Sequence, residues 1–147
     1  MNDEAFDRLE ALLSAPIEGK FNMDRWRVAN FDSDHNICGY SACAIGQCVN
    51  DPWFAKQGFV LREGSKAWHF DPCYRDVVGL DAVRIFFGIS YRVAQALFVP
   101  VYVAVEPDDS SDMLMNVRDI TPEDVLERIR YFRKFREIAH CDEGMVR

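Results

Sequence analysis

The run NICGYSACAIGQCVNDPW, residues 36–53, constrains this chain more than any other stretch. It sets three cysteines five residues apart (Cys38, Cys43 and Cys48) among Gly39, Ser41, Ala42, Ala44 and Gly46, and closes on Asp51-Pro52-Trp53. Side chains this small let a second element come close, and free cysteine behaves as a small hydrophobe. A glycine inside a helix costs up to about 1 kcal/mol relative to alanine, so Gly46 implies a backbone or a ring packed against it. Trp26 and Trp53 are the candidate rings. From about Tyr40 to Val49 the residues favour a helix, with Gly39 or Ser41 at its N-terminal boundary and Asp51-Pro52 as its stop. The expectation is interior packing.

Two chemical readings compete with it. Structural zinc needs four converging ligands, usually from paired C-x2-C knuckles. Here the spacing is C-x4-C-x4-C, with His69 and Cys73 as an H-x3-C further on. Residues five apart on a helix point about 140° apart, so Cys43 and Cys48 do not share one ion. No metal and no cofactor are expected. Nucleophilic catalysis is the other reading: a thiolate at a helix N-terminus is stabilised by the helix dipole, and a histidine can complete the pair. Cys38 or Cys43 would be the nucleophile, His69 in WHFDP the base and Asp71 the group orienting it. That order resembles the Cys, His, Asp order of transglutaminase-like and papain-like enzymes, although one hairpin is few strands for such a fold.

The remaining chain supplies the frame. Ala5, Phe6, Leu9, Leu12 and Leu13 give a first helix over about 3–14, broken by Pro16 and Gly19. FNMDRW reads as a turn or helical start and DSDHN as a polar loop. GFVLREGSKAWHF, residues 58–70, alternates on both sides of EGSK and predicts a β-hairpin. Leu80–Phe87 and Tyr91–Phe98 read as two short helices, with Gly88 as stop and Ser90 as the next cap. Their GIS corner has the look of a helix-turn-helix, but only Arg92 and Gln95 offer groups for reading bases, so a plain helical hairpin is expected. The last helix, from ITPEDVLERIRYF, has Thr121 as cap, Pro122 at its first position and Val125, Ile129, Phe132 and Phe135 or Ile138 as its buried stripe. The predicted fold is α+β, mainly α: one domain over 1–147 with about five helices and one small β-hairpin.

Function classes are narrowed by charge. The net charge of -7 disfavours general nucleic-acid binding, and 13% aromatic residues provide a core with rings left for a contact surface. Five cysteines lack the spread of a disulfide framework, the first residues carry acids where a secretory leader carries lysine or arginine, and the longest apolar run (96–105) is about half a membrane span. A cytoplasmic protein with reduced thiols and no membrane association is expected.

Two surfaces remain. Glu106, Asp108, Asp109 and Asp112 form an acidic loop able to imitate a phosphate backbone toward a basic nucleic-acid-binding protein. Arg130, Arg133 and Lys134 give the last helix a basic face that would grip an acidic partner or nucleic acid, although acids early and bases late, with Glu127 beside Arg130, are also what a helix dipole favours.

FNMDRW…CGYSACAIGQ, FFGIS…AQALFVP and ITPEDVLERIRYF resemble a group of small uncharacterised phage and bacterial proteins. The group shares a Trp, a C-G-T-x-x-C-x-x-G-x-A segment and a late ITPE helix. The likeness spans most of residues 21–135. Tyr40 replaces the group's usual Thr and Cys48 its usual Ala, an exchange that suits packing better than ligation. The resemblance implies one compact domain of phage or mobile-element origin and supplies no catalytic residue. The function expected is a non-enzymatic accessory protein that binds another protein, an inhibitor of a host defence nuclease being one concrete form.

Overall fold

The first helix, α1 (Asp3–Ser14), forms as its apolar spacing predicts, with Ala5, Phe6, Leu9 and Leu13 buried. Asn2 caps it by accepting the Ala5 N–H. The computed structural model describes residues 1–17, 19–23, 26–64, 66–98 and 120–146, and from 136 to 146 it describes the backbone alone.

The centre of the fold is a six-stranded mixed sheet. Its strands are β1 (Lys20–Phe21), β2 (Arg27–Phe31), β3 (Ile37–Ala42), β4 (Val60–Glu63), β5 (His69–Tyr74) and β6 (Val77–Val78). The order is β1-β3-β2-β5-β4, with β6 also paired to β5. β1 runs parallel to β3 and the other pairs are antiparallel. The expected hairpin is present as β4 and β5, with Val60 opposite Cys73 and Glu63 opposite Phe70.

This sheet corrects the mainly helical fold with a single hairpin. DSDHN is the turn of a second hairpin, β2–β3, where the Asp32 carboxylate accepts the Asp34 and Asn36 N–H groups, each at 2.9 Å. β3 continues through Ala42, so the helix expected over Tyr40–Val49 is replaced by the end of a strand and a 3-10 helix, Ile45–Asn50. RVANF and ICGYSA carry few β-branched residues and no clean alternation, so their strand state comes from pairing with each other and with β5. A third hairpin, β5–β6, turns through Arg75 and Asp76, both at positive φ (49° and 64°).

Helices cover one sheet face. Asp51 caps α2 (Pro52–Lys56), accepting the Trp53 N–H at 3.0 Å. α3 (Leu80–Phe87) and α4 (Tyr91–Phe98) lie where expected, joined by Gly88 in the left-handed region (φ 66°) and by Ser90, which accepts the Val93 N–H. α5 (Pro122–Val146) begins at a capping box in which Thr121 and Asp124 bond reciprocally. Phe6, Phe54, Phe59, Phe86, Phe87 and Phe98 form one connected ring cluster at the centre of the core. Phe135 was expected in the buried stripe of α5 but is 48% exposed, while Val125, Leu126 and Ile129 are buried. Ile138 lies outside the described side chains.

Candidate functional site

The cysteine run is built around one carbonyl. Trp26 directly precedes β2, and its C=O accepts the Cys43 N–H at 3.2 Å and the Cys43 thiol at 3.7 Å. Gly46 sits against the same oxygen, and a Cβ there would overlap it. The close neighbour implied by Gly46 is therefore a backbone, not an indole. Residues 41–48 are all buried. Gln47, whose role the composition did not signal, donates to the Ala42 carbonyl at 3.2 Å and accepts from Asn50.

That burial decides the state of two thiols. Burial pushes Cys43 up to about 11 and Cys48 well above the usual thiol range, the latter helped by Cys43 and Asp51. Such thiols stay protonated near neutrality and are poor nucleophiles. Asp51 shows the opposite balance: burial would raise its pKa, but the Trp53 N–H and the Arg8 guanidinium at 3.1 Å outweigh that and hold it below the usual carboxylate range.

The structure does not bring the catalytic candidates together. Val28 faces Ser41 on one side and His69 on the other. Cys38 is three residues from Ser41 along β3, and β3 is two strands from β5, which puts its backbone roughly 14 Å from that of His69. Cys38 is exposed on its strand. Cys43 is 1% exposed and spends its thiol proton on Trp26. His69 and Asp71 share a sheet face, yet among the described residues no hydrogen bond joins them; the Asp71 carboxylate lies over Gly64. Also among the described residues, no group of three or more His, Cys, Asp or Glu is placed to hold a metal ion.

Two of the basic side chains of α5 are paired with acids of α1. Arg130 pairs with Glu10 at 3.2 Å, not with Glu127. Arg133 meets Asp7 at 2.8 Å, Asp3 at 3.6 Å and Glu10. Partial burial works against its charge, but Asp7 and Glu10 outweigh that and raise its pKa. Lys134 is exposed. The acidic candidates Glu106, Asp108, Asp109 and Asp112 lie outside the described residues.

A surface that sequence reasoning missed lies on the neighbouring side of α5. Val93, Ala96 and Leu97 of α4 and Tyr131, Phe132 and Phe135 of α5 line an open groove of about 580 Å³. The Tyr131 and Phe135 rings lie 4.2 Å apart between centroids and are 58% and 48% exposed. Asp124 and Glu127 stand at its edge, together with Arg128, whose burial pulls its pKa down to about 10. The available signal was the i, i+4 spacing of Tyr131 and Phe135, which places both one step off the buried stripe.

No family model, curated protein or solved structure matches the chain. No helix among the described residues is long and apolar enough to cross a membrane.

Proposed function

We propose that this protein acts by binding another protein, and that the groove between α4 and α5 receives a cationic amphipathic helix of a basic partner. The observation that carries this reading is the exposed pair Tyr131 and Phe135, their rings tilted and in contact, over an apolar groove edged by two acids, Asp124 and Glu127, and one base, Arg128. Helix-in-groove recognition uses such features: apolar anchors at i, i+3, i+4 and i+7 enter the groove while flanking charges set orientation. Aromatic side chains are efficient anchors because they bring large apolar area while little conformational freedom is lost on binding. The chain's net charge of -7 favours encounter with a basic partner at moderate salt. In the setting that the motif resemblance implies, this is an accessory protein of a phage or mobile element.

The separated cysteine, histidine and aspartate, with Cys43 and Cys48 buried as thiols, favour binding over cysteine catalysis. The pairing of Arg130 and Arg133 with α1 favours a protein partner over nucleic acid.

Fluorescence anisotropy of a labelled leucine–lysine amphipathic peptide tests the proposal. Saturable binding is expected, weakened at least tenfold (about 1.4 kcal/mol) by Tyr131→Ser with Phe135→Ser, and weakened less by Glu127→Gln. A leucine–glutamate peptide of the same length should bind poorly. Equal binding of both peptides, or full binding by the serine variant, would refute the reading.

A further inference from the structure

A second concave surface lies at the end of the sheet where β4, β5 and β6 run side by side, and residues of both faces line it: Val60, Cys73 and Val78 of one, Tyr74 and Val77 of the other. Register fixes its floor: Val60 faces Cys73 on one side of β5, and Val78 faces Cys73 on the other. These three residues therefore share one face, opposite to that of Tyr74, which packs on Phe86 at 5.1 Å. The space above the floor is about 370 Å³. Val78 is 64% exposed, so the floor is apolar and open.

Charge is placed at the two ends of this floor. Arg62 stands on β4 beside Val60, and Arg75 stands in the β5–β6 turn. The position facing Arg62 and the turn are four residues apart along β5, roughly 13 Å. Two long guanidinium side chains can close on one ligand across that span. Arg75 is steadied by the Tyr74 ring, 5.0 Å from its guanidinium carbon.

Neither arginine pairs with an acid among the described residues, although the chain carries 24 Asp and Glu against 17 Lys and Arg. Asp71 faces Arg62 directly across the β4–β5 ladder and would be its natural partner. Its carboxylate lies instead over Gly64, whose missing side chain makes the room. Asp76 lines the cleft beside Arg75, which leaves two guanidinium groups against one carboxylate.

We infer that this cleft is a binding site for a small oxyanion-bearing molecule, with Arg62 and Arg75 taking the anionic group and Val60 and Val78 supporting a short apolar body. Planar guanidinium groups suit carboxylate and phosphate equally through paired N–H donors, so the shared chemistry is the oxyanion. The inference does not depend on the α4–α5 groove, which lies on other elements.

Titrations of the ¹⁵N-labelled full chain, followed by two-dimensional NMR, test it with three probes: glutarate, inorganic phosphate and, as the neutral control, glutaramide. Saturable shifts at the Arg62 and Arg75 Nε–H and at the Val78 amide are expected with glutarate, with phosphate, or with both. Saturation by one alone assigns that anion; saturation by both assigns oxyanions generally. Arg62→Gln and Arg75→Gln should each weaken the effective anion at least fivefold without moving the melting temperature, since both side chains are exposed. Two outcomes would overturn the inference: neither anion saturates, or glutaramide reproduces the shifts. So would undiminished binding by a chain carrying both substitutions.

Discussion

Replacing Gly46 by Ala is the sharpest test of how the cysteine run is packed. A Cβ at this position would overlap the Trp26 carbonyl oxygen and lie 2.6 Å from the Ala42 Cβ. Neither neighbour is the free end of a side chain, so neither can swing aside. Relief needs a backbone shift on the order of 1 Å, because carbon contacts are comfortable only near 3.5–4.0 Å. Trp26 cannot move without disturbing the Cys43 N–H bond at 3.2 Å that its carbonyl accepts. Overpacking costs about 1–3 kcal/mol and a weakened hydrogen bond about 1 kcal/mol more. Removing glycine from a helical segment returns up to about 1 kcal/mol. The net expectation is a loss of about 2 kcal/mol, or a fall of roughly 4–8 °C in Tm for a chain of this size. Calorimetry or circular dichroism melts of the two proteins measure it directly. An unchanged or higher Tm for Gly46→Ala would show that β2 and the 3-10 helix are not in the contact described.

The thiols should divide into two classes under iodoacetamide. Raising a thiol from 9.0 to about 11 lowers its thiolate fraction near neutrality about a hundredfold, so buried Cys43 should label at least that much more slowly in the folded protein than after denaturant is added, whereas exposed Cys38 should label in the folded protein. Peptide mass spectrometry reads each site, and prompt labelling of Cys43 in the native protein would contradict its burial. Asp51 should make stability depend on acid. Its folded pKa lies below the unfolded value of about 3.9, so its contribution is present above that pH and is lost as pH falls through the folded pKa. Asp51→Ala should cost about 1 kcal/mol at pH 7 through the lost α2 cap, and should cost progressively less below pH 4, as urea melts across that range would register. A pH-independent difference would remove the carboxylate from that role.

Local signals carried part of this fold. α1, the Gly88–Ser90 junction, the start of α5 and the β4–β5 hairpin follow from apolar spacing, caps and a turn, each readable within a few residues. The small-residue run was legible as interior material over residues 41–48 for the same reason, since volume and thiol character belong to the residues themselves, whereas Cys38, expected with them, is exposed. β2 and β3 were not legible: Asn30, Gly39 and Ser41 are poor strand formers, held extended by partners on neighbouring strands and by the Asn30–Ser41 side-chain bond at 2.9 Å. Those partners also carried Cys38 away from His69.

Composition and spacing alone therefore marked the cysteine run as packing material, which holds for Cys43 and Cys48 but not for Cys38, left exposed on β3, and marked a cap-bounded helix near the end of the core. Tertiary structure alone decided which surfaces remain open. It set Arg130 and Arg133 against the acids of α1, left Tyr131 and Phe135 outside the stripe that docks α5, and turned Asp71 away from Arg62. The physical reason is reach: caps, turns and side-chain volume act over a few residues, whereas ion pairs and grooves arise between segments that meet only after the chain has folded.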